Sequence, residues 1–365
     1  MRNIKIFVDC HVFDGPFQGL TSYIKGLYSE LIQHKNIIFY LASDNPNNLE
    51  PLFGKHENVI YIKYRYKNKI IRLLYDIPYF ISKHAIDFAH FQYTVSPLKK
   101  CKYIVTLHDV MFLDFPEYFP KSYILRCKYL FKWSAKKSEV VLTVSDYSKN
   151  KIQKYFNIDK IFVTKNAVDP IYFDEYQKFD AQNYVKLNFG IENFFLFVSR
   201  FEPRKNHISL LKVFVENKFY LKHELVFIGN EAHECKEFDN YYNKLTPEVK
   251  SKIKVLKRVN FNDLVAFTRA AAISIFPSIA EGFGIPPLES IATETPTICS
   301  NTTAMSDFDF ISEFQFNPLD YKEMAEKIYK ALDYKDWKET KKQMMLKYNW
   351  KDSADEFIKS VYTIN

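Results

Sequence analysis

Short runs rich in β-branched and aromatic residues recur along the chain with helical intervals between them. This alternation constrains the fold more than any other feature. Runs at 4–8, 37–41, 59–62, 103–107, 140–144 and 161–165 form one series, with an amphipathic helical stretch expected over Leu20–Gln33. A second series follows at 194–199, 225–228, 253–256, 273–276 and 297–299. Strands that alternate with helices build parallel βαβ units, so the pattern predicts an α/β chain with two doubly wound domains. At 365 residues the chain exceeds what one core usually serves, which agrees. The stretch 169–193 has weak periodicity and several turn formers and is read as the linker. Beyond Tyr321 the pattern is helical, with an apolar stripe over Trp350–Tyr362.

Several function classes are excluded early. The eight glycines fall at 15, 19, 26, 54, 190, 229, 282 and 284, so neither the dinucleotide fingerprint nor the P-loop can be built. Five cysteines without a C-x-x-C pair fit neither a disulfide framework nor a zinc ribbon, and a reducing cytoplasmic setting is expected. The N-terminus reads as a strand and not as a secretory signal, and no apolar stretch is long enough to span a membrane. The net charge of +8 sits in the first half: residues 1–180 hold 26 Lys and Arg against 18 Asp and Glu, and the rest hold 25 of each. Tyr61–Arg72 interleaves cations with aromatic and aliphatic residues, and Lys99, Lys100 and Lys102 follow. An anionic membrane surface is the expected partner and nucleic acid is not, because no nucleic-acid-binding signature accompanies the charge. A merely solvated basic face is the alternative.

The segment 270–295 reads as a buried strand, a loop with Gly282 and Gly284 about Phe283, and a helix opened by prolines, with Pro287 in the first turn. Free N–H groups and the helix dipole at such a point favour a diphosphate, and the glycines keep side chains out of its way. Glu281 before the loop and Glu289 inside the helix then offer carboxylates to the hydroxyls of a sugar and a ribose. Glu289 as a simple complement to the helix start stays open. After the strand 194–199 comes Arg200-Phe-Glu-Pro-Arg-Lys-Asn-His, ahead of a helical pattern over 208–215. Cations at a helix N-terminus oppose its dipole, and a bound anion would account for Arg200 and Lys205. Arg204 is expected to be solvated. His108-Asp109 follows the strand 103–107 at its carboxyl end, where a structural role is the alternative to a functional one.

Glu281-x7-Glu289, preceded by Phe-Pro-Ser and embedded in Glu-Gly-Phe-Gly-Ile-Pro-Pro-Leu-Glu, resembles the signature of glycosyltransferase family 4. These are retaining enzymes of the GT-B fold, with two Rossmann-like domains facing a cleft. The resemblance implies that Glu281 meets the donor sugar and Glu289 the ribose, with Arg200 and Lys205 on the diphosphate. It also implies that His108 contacts the donor and that Gly19 approaches the diphosphate. Asn166, in Lys165-Asn-Ala-Val-Asp169, is expected to line the cleft, and Val259 lies where the base is contacted. The implied domains are 1–175 on the acceptor side, joined by a C-terminal helix over 350–365, and 190–349 for the nucleotide sugar. The implied reaction moves a sugar to a glycan or lipid-linked acceptor in surface polysaccharide synthesis. It needs no cofactor and no metal. Asp307-Phe308-Asp309 is therefore read as a decoy D-x-D. His-Asp-Val-x-Phe-Leu-x-Phe-Pro-Glu-Tyr-Phe from His108 is similar to mannosyl-transferring members, which favours GDP-mannose over UDP-sugars. The expected location is cytoplasmic, on the inner membrane face. A sugar-nucleotide epimerase and a non-enzymatic membrane scaffold are the alternatives.

Overall fold

The computed structural model describes residues 3–15 and 19–364. They form two compact units, one of residues 1–167 with 348–365 and one of 168–347. In the first unit the described strands are β1 (Ile4–Asp9), β2 (Ile37–Ser43), β3 (Val59–Lys63), β4 (Phe88–Gln92), β5 (Lys102–Thr106), β6 (Val140–Thr143) and β7 (Phe162–Val163). They pair in the order β3-β2-β1-β4-β5-β6-β7, and every pairing is parallel. The second unit holds β8 (Phe194–Val198), β9 (Glu224–Ile228), β10 (Ile253–Leu256), β11 (Ile273–Phe276), β12 (Thr297–Ser300) and β13 (Gln315–Phe316), in the order β10-β9-β8-β11-β12-β13. In each unit the winding reverses direction once, at β1/β4 and at β8/β11. The loops at the carboxyl ends of the strands beside such a reversal are where open α/β sheets hold ligands.

The central strands read as continuous apolar runs, Phe-Phe-Leu-Phe-Val for β8 and Ile-Ser-Ile-Phe for β11, because helices cover both faces of a parallel sheet. Strand β4 escapes that rule. Its sequence is Phe-Ala-His-Phe-Gln, yet all five residues are buried. His90 and Gln92 are accommodated by hydrogen bonds: His90 Nδ1 pairs with Tyr28 Oη at 2.6 Å and Nε2 with Thr106 Oγ1 at 2.8 Å. The two-residue β13 is likewise too short for a periodic signal.

The segment 169–193 is more structured than a linker. It carries the helix Lys178–Phe189, closed by Gly190 at φ +68°, and the second unit begins ahead of it at Val168. Val185 is fully buried, and Phe189 packs against Phe267 with ring centroids 4.8 Å apart. The helix rests on the neighbouring helix Phe261–Ala270 through so few side chains that its apolar stripe is faint in the sequence.

The C-terminal helix Trp350–Ile364 belongs to the first unit. Its buried face presents Trp350, Phe357 and Val361 to the helix Gly19–Leu31 and the sheet edge beyond. Ser353 Oγ donates to Lys165 O at 2.6 Å, and Asn36 Nδ2 donates to Tyr362 Oη at 2.7 Å. Gly26 is what admits the indole, since a Cβ there would lie 2.0 Å from Trp350 Cε2. All five cysteines are free, and no described helix is long and apolar enough to cross a membrane.

Alanine favours a helix interior over glycine by about 1 kcal/mol, but a rigid ring at 2.0 Å leaves no room for its methyl group. Gly26→Ala is expected to destabilise the first unit by ~1–3 kcal/mol, read as a lower Tm in thermal denaturation. Gly26→Ala with Trp350→Leu should recover part of the loss. An unchanged Tm in the single variant would refute the packing account.

Candidate active site

At the carboxyl ends of β8 and β11 two loops bring five charged side chains together. The loop after β8 runs through Ser199 and Arg200 into a short 3-10 turn, Pro203–Lys205, and then to Asn206 at φ +61°. The helix His207–Glu216 begins only after that left-handed residue, so Arg204 and Lys205 stand before the helix and not in its first turn. Asn206 fixes the turn: its Nδ2 donates to Pro277 O at 3.2 Å and Pro318 O at 2.9 Å, and its Oδ1 accepts from Ser209 Oγ at 2.6 Å. Gly229, at the end of β9, lets that strand close on the loop. A Cβ at Gly229 would lie 2.0 Å from Ser199 O.

The loop after β11 leads through Pro277–Ala280 to Glu281. Ile279 N donates to Arg204 O at 2.8 Å, which ties the two loops together through their backbones. Glu281 N donates to Thr303 Oγ1 at 2.9 Å, and Thr303 is held at φ +53°, a costly conformation for a β-branched residue. Strain of this kind persists where surrounding contacts enforce it, and here they hold the backbone of a carboxylate in register.

The side chains form a chain of alternating charge. Arg200 pairs with Glu202 at 2.8 Å, and Glu202 pairs with Arg204 at 2.7 Å. Arg204 reaches Glu281 at 3.4 Å and donates to Ala280 O at 2.8 Å, and Lys205 Nζ donates to Glu281 Oε1. Arg204 is thus buried and structural, contrary to its expected solvation. The reason is that Glu202 and Glu281 compensate it from both sides. Arg200 remains the exposed end of the chain, its side chain 61% accessible. Burial alone would raise the Glu281 carboxyl, but the Lys205 ammonium and the Arg204 guanidinium hold it below its ordinary value. Burial likewise pulls Lys205 down, partly offset by Glu281. Three cations face two carboxylates, so the cluster carries a net positive charge able to receive an anion.

Glu289 sits in a different environment, in the helix Ile285–Ala292. Burial, reinforced by the Asp169 carboxylate, pushes it up to about 8. The Tyr172 hydroxyl is buried, has no hydrogen-bond partner and is raised by burial and by Glu289. Gly284, at φ +102°, caps this helix, and Pro286 and Pro287 follow in the first turn. Of the four donors a helix start leaves free, the prolines remove two, and the N–H groups of Gly284 and Ile285 remain. Gly284 also has a packing reason unforeseen in the sequence: a Cβ there would lie 2.9 Å from Met305 Cγ. Phe283 is buried against Phe308, with ring centroids 5.8 Å apart. Val259 is half-buried and packs on the apolar core around Phe194 and Phe267. The Asp307-Phe308-Asp309 segment is divided by the burial of Phe308, and Asp309 is engaged by Lys347 at 2.6 Å.

In the first unit, His108 lies two residues beyond β5. Its Nε2 pairs with Gln92 Oε1 at 2.7 Å, and its ring meets Tyr23 edge-on at 4.9 Å. Burial pulls its pKa down to about 3, so the imidazole is neutral at physiological pH. Asn166, beyond β7, is buried with its Oδ1 unpartnered. Gly19 opens the helix Gly19–Leu31, is exposed, and would carry a Cβ with no neighbour within 4 Å, so packing does not demand a glycine there. Sequence reasoning passed over Asp9, at the end of β1 beside the sheet's reversal. This buried carboxylate accepts from Tyr64 Oη at 2.7 Å and faces His11 at 3.0 Å and Arg72 at 3.7 Å. The clue available was an aspartate ending an otherwise apolar strand.

Comparison with known proteins follows the same division. A family model described as Glycosyltransferase Family 4 matches residues 17–171, and one described as Glycosyl transferases group 1 matches residues 180–352. An O-antigen chain mannosyltransferase from Salmonella typhimurium is 32% identical over 231 residues, 61% of this chain and 59% of that protein. O-antigen chain mannosyltransferase B from Escherichia coli is 28% identical over 208 residues, 56% of this chain and 54% of that one. The matched stretches thus span somewhat more than half the length of these curated relatives. A solved glycosyltransferase from Rickettsia africae shares the fold, with a TM-score of 0.73 at 16% identity over 100% of this chain and 99% of the other. With each unit matched by a glycosyltransferase family model and both sheets doubly wound, the chain is similar to glycosyltransferase family 4 and has the GT-B fold.

Proposed function

We propose that this protein transfers a sugar, mannose in the first instance, from a nucleotide-sugar donor to a glycan or lipid-linked acceptor in surface polysaccharide synthesis. The observation that carries the reading is the buried Arg204–Lys205 pair set against Glu281 where β8 and β11 diverge. A donor diphosphate brought to this point meets the largely buried Lys205 ammonium and the exposed Arg200 guanidinium, which stabilise the charge that grows on the departing phosphate. Those cations take the place a divalent ion holds in metal-dependent transferases. Glu281, kept ionised by Lys205, accepts from hydroxyls of the donor sugar, and Glu289 serves the ribose. A neutral His108 is suited to hydrogen bonding without adding charge. Transfer with retention follows the front-face route that the family resemblance implies, the leaving phosphate taking the acceptor's proton. GDP-mannose is favoured over UDP-sugars by the stretch from His108 and by two relatives that are named mannosyltransferases.

Turnover tests the site. Lys205→Ala and Glu281→Gln are each expected to lower kcat by roughly 10²–10³ in a GDP-mannose transfer assay, the range for removing one preorganised electrostatic group. Circular dichroism should show both variants folded, and unchanged turnover in both would remove the assignment. Donor incubated without acceptor should yield no epimer.

Glu289 gives a pH signature independent of activity. Its folded pKa of about 8 lies above the ordinary carboxyl value of 4.5, so the unfolded chain ionises first and stability falls as pH rises between those values. Glu289→Gln lacks that loss. Its Tm should match wild type near the bottom of this window and exceed it increasingly toward the top. A constant difference across the range would contradict the raised pKa.

A further inference from the structure

The first unit carries a surface that neither its core nor the candidate site uses. The helix Lys121–Lys137 buries Cys127, Phe131, Ser134 and Ala135, half-buries Tyr123, Ile124 and Lys132, and exposes most of the rest. Six of its 17 residues are Lys or Arg, and none is acidic. At helical spacing along that outward face stand Leu125, Tyr129 and Trp133, with Leu125 and Tyr129 59% and 66% exposed. The loop beside the helix presents an exposed Leu98 between buried Ser96 and the cations Lys99 and Lys100. Next to it the segment 69–79 exposes Ile70 and Tyr75.

These three elements are stitched into one face. Val95 N donates to Ser134 Oγ at 3.3 Å, and Lys99 Nζ donates to Lys137 O at 2.7 Å. Ser96 Oγ donates to Leu73 O at 2.7 Å. The acidic groups nearest the face are already engaged, Asp76 by Arg65 at 2.7 Å and Glu139 by Lys99. The result is a set of adjoining elements that expose cations together with aliphatic and aromatic side chains.

We infer that this face docks on an anionic lipid bilayer. The combination is that of interfacial helices: cations meet the headgroups, and Leu, Tyr and Trp enter the boundary below them. Two other occupants fit less well. A second copy of the chain would set one cationic face against another. Nucleic acid would satisfy the cations and stack on the aromatic rings but would leave Ile70, Leu98 and Leu125 uncovered. The inference extends the basic stretches at 61–72 and 99–102 to a bounded surface whose largest element, the helix, lies outside both. It is independent of what the second unit binds.

Trp133 supplies the readout, because it is 37% exposed while Trp337 and Trp350 are buried. The full chain should sediment with vesicles of phosphatidylglycerol and phosphatidylcholine at low salt, and not with phosphatidylcholine alone. Its tryptophan emission should shift to the blue on binding. Trp133→Phe should keep the binding and lose the shift. Leu125→Ser with Tyr129→Ser, and separately Lys128→Glu with Lys132→Glu and Lys136→Glu, should each weaken binding by about tenfold or more. Both variants should remain folded at the assay temperature by circular dichroism. Any of four results overturns the inference: no sedimentation with anionic vesicles; sedimentation that leaves Trp133 emission unchanged; binding undiminished in either multiple variant; or a shift of equal size produced by protein concentration or by single-stranded RNA without lipid.

Discussion

Everything in the second unit's site depends on keeping Lys205 and Arg204 charged out of water. Each buried ion costs several kcal/mol of desolvation, and only close geometry recovers it. Glu281 receives both cations and Glu202 takes the far side of Arg204, so the charges alternate along the cluster. The partners come from loops some 75 positions apart in sequence, after β8 and after β11. They meet because the sheet order sets those strands side by side at its reversal. Asn206, Gly229 and Thr303 then have a common explanation. Each accepts an unusual backbone conformation or a close approach that fixes one of the two loops.

The strands that could be read from sequence were those with continuous apolar character, because burial on both faces leaves a local mark. Strand β4 was hidden by His90 and Gln92, whose polarity is cancelled by partners on other elements, Tyr28 and Thr106 for His90 and His108 for Gln92. The helix Lys178–Phe189 was hidden for the opposite reason, since one buried valine and one aromatic contact are too little for a stripe. At the site, the residues Arg200, Lys205, Glu281 and Glu289 were legible as a pattern. Arg204, expected in solvent, is buried instead. A left-handed Asn206 moves the helix start, and Glu202, invisible as a partner in the sequence, supplies the compensating charge.

The first unit solves a different electrostatic problem. Alongside its own buried ion pair of Asp9 and Arg72, it buries neutral polar groups in a connected network. Tyr28, His90, Thr106 and Gln92 lead to His108, and Tyr23 joins Thr106 and Thr164. Such a network is stable only if its members are satisfied, and the Gln92 amide beside His90 Nε2 finds its acceptor in a neutral ring. Burial keeps both His90 and His108 neutral. The C-terminal helix closes the arrangement, because Phe357 packs on Tyr28 and His90 at ring separations of 6.0 and 5.5 Å. The sequence's last helix therefore helps to set the dielectric around a histidine more than 240 positions earlier.

The two signature glutamates show how environment divides labour between identical side chains. Glu281 and Glu289 are eight residues apart and both half-buried, yet they are driven in opposite directions. Two cations outweigh burial at Glu281, which stays an acceptor at every physiological pH. At Glu289 no cation among the described residues offsets burial, and the Asp169 carboxylate reinforces it, which pushes the carboxyl up to about 8. A protonated carboxyl both donates and accepts, which suits neighbouring hydroxyls on one ring, whereas a fixed carboxylate suits hydroxyls beside a carbon that becomes electron-poor. The spacing in the sequence puts two glutamates near one loop. The charges around them decide that only one stays negative.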